Sequence, residues 1–202
     1  MKRLMWLLLL GLVSCAPKTK VVEVQNDAGI VTERYLENIE TGEKEGKSEL
    51  FDASGNILEV AHYKNGQLEG ERKIFHENGK LQALEQYENG RFKGPYEAYY
   101  DNEQLELEGK YIEGQMEGEW KRYYDSGELM EIVTFVGNEE NGPFVEYYKN
   151  GNKKAEGAYL EGDNEHGELK MYDEQGELIR KMNCKKGICR TTWSIENDEQ
   201  KT

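Results

Sequence analysis

Aromatic residues recur every 24 positions along most of this chain, and that clock limits the fold more than any other feature. Tyr63, Tyr87, Tyr111, Phe135 and Tyr159 form one series, with Ile39 a period earlier and Cys184 a period later after a single-residue insertion. Phe51, Phe75, Tyr99, Tyr123, Tyr147 and Tyr172 form a second. Glycines keep the same time at Gly46, Gly70, Gly94, Gly118, Gly142 and Gly167. Two further glycine series run through Gly66 and Gly79, with Asn138 and Glu103 at their vacant slots. A fixed period of this length marks units that pack on their neighbours. Six copies fill residues 39–184, and 21–38 reads as a degenerate half-repeat turning at Gly29.

Each copy reads as two strands and two turns. Trp120, Arg122 and Tyr124 alternate with Glu119, Lys121 and Tyr123. Beyond the turn at Ser126-Gly127, the expected face of the next strand holds Leu129, Glu131, Val133 and Phe135. Period-two alternation rich in aromatic and aliphatic residues means strand. Five Asn-Gly pairs, at 65–66, 78–79, 89–90, 141–142 and 150–151, supply positive-φ turn chemistry. Short turns force antiparallel neighbours. The expected fold is all-β: an elongated, single-layer antiparallel meander of about twelve to thirteen strands, roughly 60 Å long.

The two ends carry different signals. Lys2 and Arg3 precede an apolar run, Leu4 to Leu12, that is too short to span a bilayer and suits a signal peptide. It closes on Leu12-Val13-Ser14-Cys15, which resembles the lipobox of bacterial lipoproteins. That resemblance implies cleavage after residue 14, lipidation of Cys15, a lipidated linker over 15–22, and the outer membrane as destination, because Ala16 is not Asp. Acyl chains would then hold the body at a membrane surface. Cleavage would leave 24 basic against 40 acidic residues, a net charge of -16. Such acidity repels nucleic-acid backbones. At the other end, Cys184 and Cys189 flank a Gly-containing turn and read as a hairpin disulfide, with two free thiols as the alternative. A capping hairpin over 185–193 and a disordered tail over 194–202 complete the expected layout.

The repeats resemble the MORN repeat variant family. The resemblance rests on Tyr87-Glu88-Asn89-Gly90-Arg91-Phe92-Lys93-Gly94-Pro95-Tyr96 and on Tyr111 to Trp120, an aromatic, two residues, Gly, three residues, Gly and a second aromatic. Tyr123-Tyr124-Asp125-Ser126-Gly127-Glu128-Leu129 matches the closing half, and Gly109-Lys110-Tyr111 the Gly-x-aromatic step. Departures are Glu103, Asn138, Arg72 in an aromatic slot, and the insertion before Gly167. The resemblance implies a repeat protein acting by contact. Some bacterial members carry an antitoxin label, which implies an immunity role against an exported toxin as the second reading.

The middle copies carry additional aromatics: Tyr96, Tyr100, Trp120, Tyr124, Phe144 and Tyr148. They form a candidate strip for a protein partner, since Tyr and Trp bind well with one side wet. Ladder packing is the alternative. No metal or cofactor is expected: His62, His76 and His166 lie in separate copies, and the acidic loops at 138–141 and 163–165 lack EF-hand spacing. No nucleophile elbow occurs among the serines. The expectation is a non-catalytic, lipid-anchored scaffold of the cell envelope facing the periplasm.

Overall fold

The computed structural model describes residues 18–196, so the signal segment, Cys15 and most of the expected tail lie outside the described residues. An N-terminal hairpin joins β1 (Thr19–Gln25) to β2 (Val31–Asn38). Then follow β3 (Lys44–Phe51), β4 (Ile57–Lys64), β5 (Gln67–Leu68), β6 (Gly70–Phe75), β7 (Leu81–Glu88), β8 (Arg91–Phe92) and β9 (Gly94–Tyr99). The chain continues through β10 (Leu105–Ile112), β11 (Gln115–Met116), β12 (Gly118–Tyr123), β13 (Leu129–Val136) and β14 (Glu139–Tyr147). It ends with β15 (Lys153–Tyr159), β16 (Gly167–Tyr172), β17 (Leu178–Lys185) and β18 (Ile188–Ser194). The long strands pair antiparallel in chain order, with the short β5, β8 and β11 pairing only back to β4, β7 and β10, giving one open meander without a second layer among the described residues.

Eighteen strands replace the expected twelve to thirteen, for two reasons. The N-terminal hairpin and β18 are full members of the sheet. A bulge also splits three long strands, cutting off β5, β8 and β11 as two-residue arms. The same irregularity sits inside β14. Val133 pairs with Phe144 and Phe135 with Glu140, so two additional residues are accommodated on the β14 side. Bulges bend and twist a strand, as a long single-layer sheet requires.

The boundaries shift accordingly. The expected linker gives way to β1 at Thr19, because Lys20 to Val24 pair with Glu37 to Glu33 of β2. The final hairpin spans Leu178–Ser194, and Ser194, expected in the tail, is buried at the end of β18. Turn chemistry also divides. Asn65-Gly66 and Asn89-Gly90 place both residues at positive φ, whereas at the other three Asn-Gly pairs only the glycine does. Gly142 forms a strand bulge rather than a turn. Glu103 and Asn138 fill their glycine slots by adopting φ of 71° and 72° themselves.

Register decides which side is packed. The pairs Ser48–Ala61, Ile74–Ala83, Ala83–Ala98, Ala98–Leu107 and Leu107–Arg122 share one face. Trp120–Val133, Val133–Phe144 and Ala155–Met171 continue it. Every buried side chain among the described residues falls on this face. The opposite face alternates charges and aliphatics, with Glu97, Glu108, Lys121, Ile132, Val145, Glu156 and Lys170 in line. A one-residue bulge corrects one expectation: Leu129 pairs with Tyr123 on the charged face, away from Glu131 and Val133. Leu81 is moved in the same way by its pairing with Phe75.

Candidate functional site

The packed face carries the largest group of aromatic side chains. Tyr87, Phe92 and Tyr111 follow one another with centroid separations of 4.5 and 4.6 Å. Tyr111 meets Trp120 edge-on at 5.2 Å and Tyr96 at 5.9 Å. Trp120 then reaches Phe135 at 6.1 Å, and Phe144 stacks on Tyr159 at 4.3 Å. Offset and edge-on geometries suit the ring quadrupole. The sequence expectation assigned Tyr96, Trp120 and Phe144 to the strip but left out Phe92, Tyr111 and Phe135. The bulges beside β5, β8 and β11 and the one within β14 add residues in pairs, so Tyr96, Trp120 and Phe144 share a side with Tyr87, Tyr111, Phe135 and Tyr159, while Tyr99 and Tyr123 stay on the charged face.

Glycine makes room for these rings. A Cβ on Gly109 would stand 2.2 Å from Trp120 Cδ2, and one on Gly157 would stand 2.9 Å from Phe144 Cε1. Each ring therefore lies across the bare backbone of the adjacent strand. This explains the Gly-x-aromatic step, which places a seat and a ring two residues apart on one face. Trp120 and Phe144 are each only 3% exposed, so most of their surface is already spent on the sheet.

The other half of the strip does something different. Tyr100, Tyr124 and Tyr148 stand just past the ends of β9, β12 and β14. Their hydroxyls donate to the carbonyls of Tyr123, Tyr147 and Tyr172 at 2.8, 2.8 and 2.9 Å. The His76 ring contacts the Tyr99 carbonyl one copy earlier, at 2.8 Å. Asn78, Asn102 and Asn150 add a parallel series, each donating an amide to a main-chain carbonyl of the following copy. These bonds tie successive turns together along one long edge of the ribbon.

Polar groups gather at two points on the packed face. Arg72 bridges Glu59 at 2.6 Å and Glu85 at 2.8 Å, and the Tyr87 hydroxyl donates to Glu85 at 3.0 Å. The two carboxylates hold the guanidinium firmly protonated, and burial pushes the Tyr87 hydroxyl up to about 12. Next to them, Ile74, Ala83, Glu85, Tyr96 and Glu106 line an open depression of about 340 Å³. Farther along, Trp120, Arg122, Glu131, Phe135 and Glu140 line a cleft of about 80 Å³. Burial there, with Glu146 and Glu140 adding to it and Arg122 opposing, raises the Glu131 carboxyl. Trp120 Nε1 and Arg72 Nε are buried without a hydrogen-bond partner. Among the described residues, no three His, Cys, Asp or Glu side chains come together as metal ligands. Cys184 and Cys189 are joined as a disulfide between β17 and β18.

Shifted groups recur with the repeat. Burial, helped by Glu97 in one copy and Glu108 in the next, raises Tyr99 and Tyr123 to about 12. Glu156 is lowered to about 2 by Lys153 and by the Tyr172 hydroxyl. A perturbation that repeats copy after copy belongs to the ladder, not to one reactive centre.

No curated protein matches the chain significantly. A solved structure described as the GtfA/B complex bound to UDP and GlcNAc overlaps 55% of this chain at 13% identity and a TM-score of 0.25. The overlap takes in 22% of that larger chain. The family model for the MORN repeat variant matches residues 44–65, 68–89, 116–136, 140–161 and 165–186. The unmatched interval contains Glu103, yet its strands β9 and β10 pair like the others. With more than half of its length matched in phase, the chain belongs to the MORN repeat variant family.

Proposed function

We propose that this chain is a non-catalytic, lipid-anchored protein of the bacterial cell envelope whose sheet offers an interaction surface to a protein partner. One observation carries the reading: an aromatic-rich stretch of the packed face, from Tyr87 to Tyr159, on a sheet with no covering layer among the described residues. Buried centres such as Trp120 give that face rigidity, and half-exposed neighbours with Arg122 and the carboxylates give it polar grip. Interfaces combine packed aromatic anchors with a wet polar rim in this way. The anchoring rests on the apolar run ending in Cys15, and the periplasmic placement on that lipobox resemblance.

Two measurements test it. Replacing Cys15 with Ala should move the chain from the membrane to the soluble fraction, and a chain that stays with membranes overturns the anchor. Capture from envelope fractions with the wild-type chain, compared with Arg122→Glu, should show partner loss in the variant at unchanged circular dichroism. Equal capture would place the contact elsewhere. A single toxic partner would favour the immunity reading, and several envelope proteins the scaffold.

A further inference from the structure

Charge is distributed very unevenly along the ribbon. Residues 18–177 hold 37 acidic and 18 basic side chains, a net of -19. The terminal hairpin Leu178–Ser194 holds Arg180, Lys181, Lys185, Lys186 and Arg190 and no acid. Of these five only Lys186 forms an ion pair among the described residues, with Glu161 at 3.1 Å. At the opposite end, residues 19–43 carry six acidic groups against Lys20 and Arg34, a net of -4.

Among the described residues β1 pairs only with β2 and β18 only with β17, so each end presents a strand edge of seven residues. The Ile39 N–H donates to the Lys18 carbonyl at 3.0 Å, which fixes the alternation of the β1–β2 ladder. Thr19, Val21 and Glu23 therefore turn their main-chain groups away from β2. On β18, the two-residue turn at Lys186-Gly187 makes Lys185–Ile188 the bonded closing pair, so Cys189 and Thr191 turn theirs outward. The side chains along both edges invite pairing: Val21 is 62% exposed and Ile188 is 71% exposed.

We propose that the chain assembles head to tail, β18 of one copy adding to β1 of the next, so that the ribbon continues across molecules. The basic hairpin repels its own kind and so opposes tail-to-tail pairing. It attracts the acidic first hairpin of another copy. At physiological salt, interactions beyond about 8 Å are screened, so the charges at the join outweigh the net repulsion of two acidic bodies. A heterologous contact of this kind extends into a filament or closes into a ring.

Sedimentation of the full chain purified in detergent tests the join. The wild type should form species that grow with concentration. Val21→Pro and Thr191→Pro each remove one outward N–H from an edge, where proline is tolerated. Each variant alone should be monomeric, and an equimolar mixture should stop at a dimer, because one free head and one free tail remain. A wild type that stays monomeric at every concentration overturns the proposal, as does either variant assembling by itself. If a proline variant loses its circular dichroism spectrum, Lys185→Glu with Arg190→Glu replaces it. Those reversals should dissolve the assembly, and its persistence overturns the join.

Discussion

The early copies and the middle copies of the packed face share one register but fill it with opposite chemistry. In β3 to β7 the central row reads Ser48, Ala61, Arg72 and Glu85, closed by ion pairs and the Tyr87 hydroxyl. In β9 to β15 it reads Tyr96, Gly109, Trp120, Val133, Phe144 and Gly157, closed by rings lying on bare backbone. Arg72 stands in the slot of Tyr96, Trp120 and Phe144. A one-layer sheet has no partner layer to bury against, so a central slot must be filled from its own face. Arg72 fills that slot together with its two carboxylate partners, Glu59 and Glu85. The aromatic solution instead demands an empty position next door.

The largest expected effect tests the aromatic half. Trp120→Ala should cost about 4 kcal/mol in urea denaturation, since it empties a well-filled site. Gly109→Ala should cost about 3 kcal/mol by driving a methyl group into that ring. Combined, the two should cost clearly less than their sum, because the methyl then occupies the vacated space. Strict additivity would break the ring-on-glycine picture. In the polar half, Arg72→Met should destabilise by about 2 kcal/mol at neutral pH, because it leaves Glu85 buried without its counter-charge. Adding Glu85→Gln should recover part of the loss in urea denaturation, and no recovery would mean that Arg72 acts by packing alone.

Tyrosine hydroxyls sit in both halves and give a common readout. Tyr87, Tyr99 and Tyr123 have folded-state values raised to about 12 against an ordinary 10. Above pH 10 the unfolded chain loses these protons first, so their contribution, complete below pH 10, should fade as pH rises toward 12. Thermal melts across that range, followed with tyrosinate absorbance, check the sign. Smaller still, Tyr124→Phe removes one bond to the next copy and should cost about 1 kcal/mol. The smallest change is a gain. Glu103→Gly releases a non-glycine residue from positive φ and should stabilise by about 0.5 kcal/mol, after the entropy that glycine adds to the unfolded chain is offset.

Much of this was legible in the residues. The aromatic clock predicted strands and their antiparallel order, because alternation and turn chemistry are local properties. Glu103 and Asn138 stood out as departures at glycine slots, and the structure shows that they take the positive φ themselves. The strip was legible only in part. Tyr100, Tyr124 and Tyr148 look equivalent to Trp120 on paper, yet they sit past the strand ends and bond to carbonyls 23 or 24 residues away. The Arg72 network joins residues 13 apart on neighbouring strands, so no single segment reveals it.

By itself the sequence determined that this chain is a ribbon of paired strands with a fixed step, since period-two alternation and positive-φ turns act within a few residues. Only the tertiary structure decided which side is packed, where each ring rests, and that both outermost strands pair on one side only among the described residues. Those outcomes depend on bulges and cross-strand register. Each bulge shifts partners without altering the 24-residue count, so it leaves no trace in spacing and shows only once the strands are side by side.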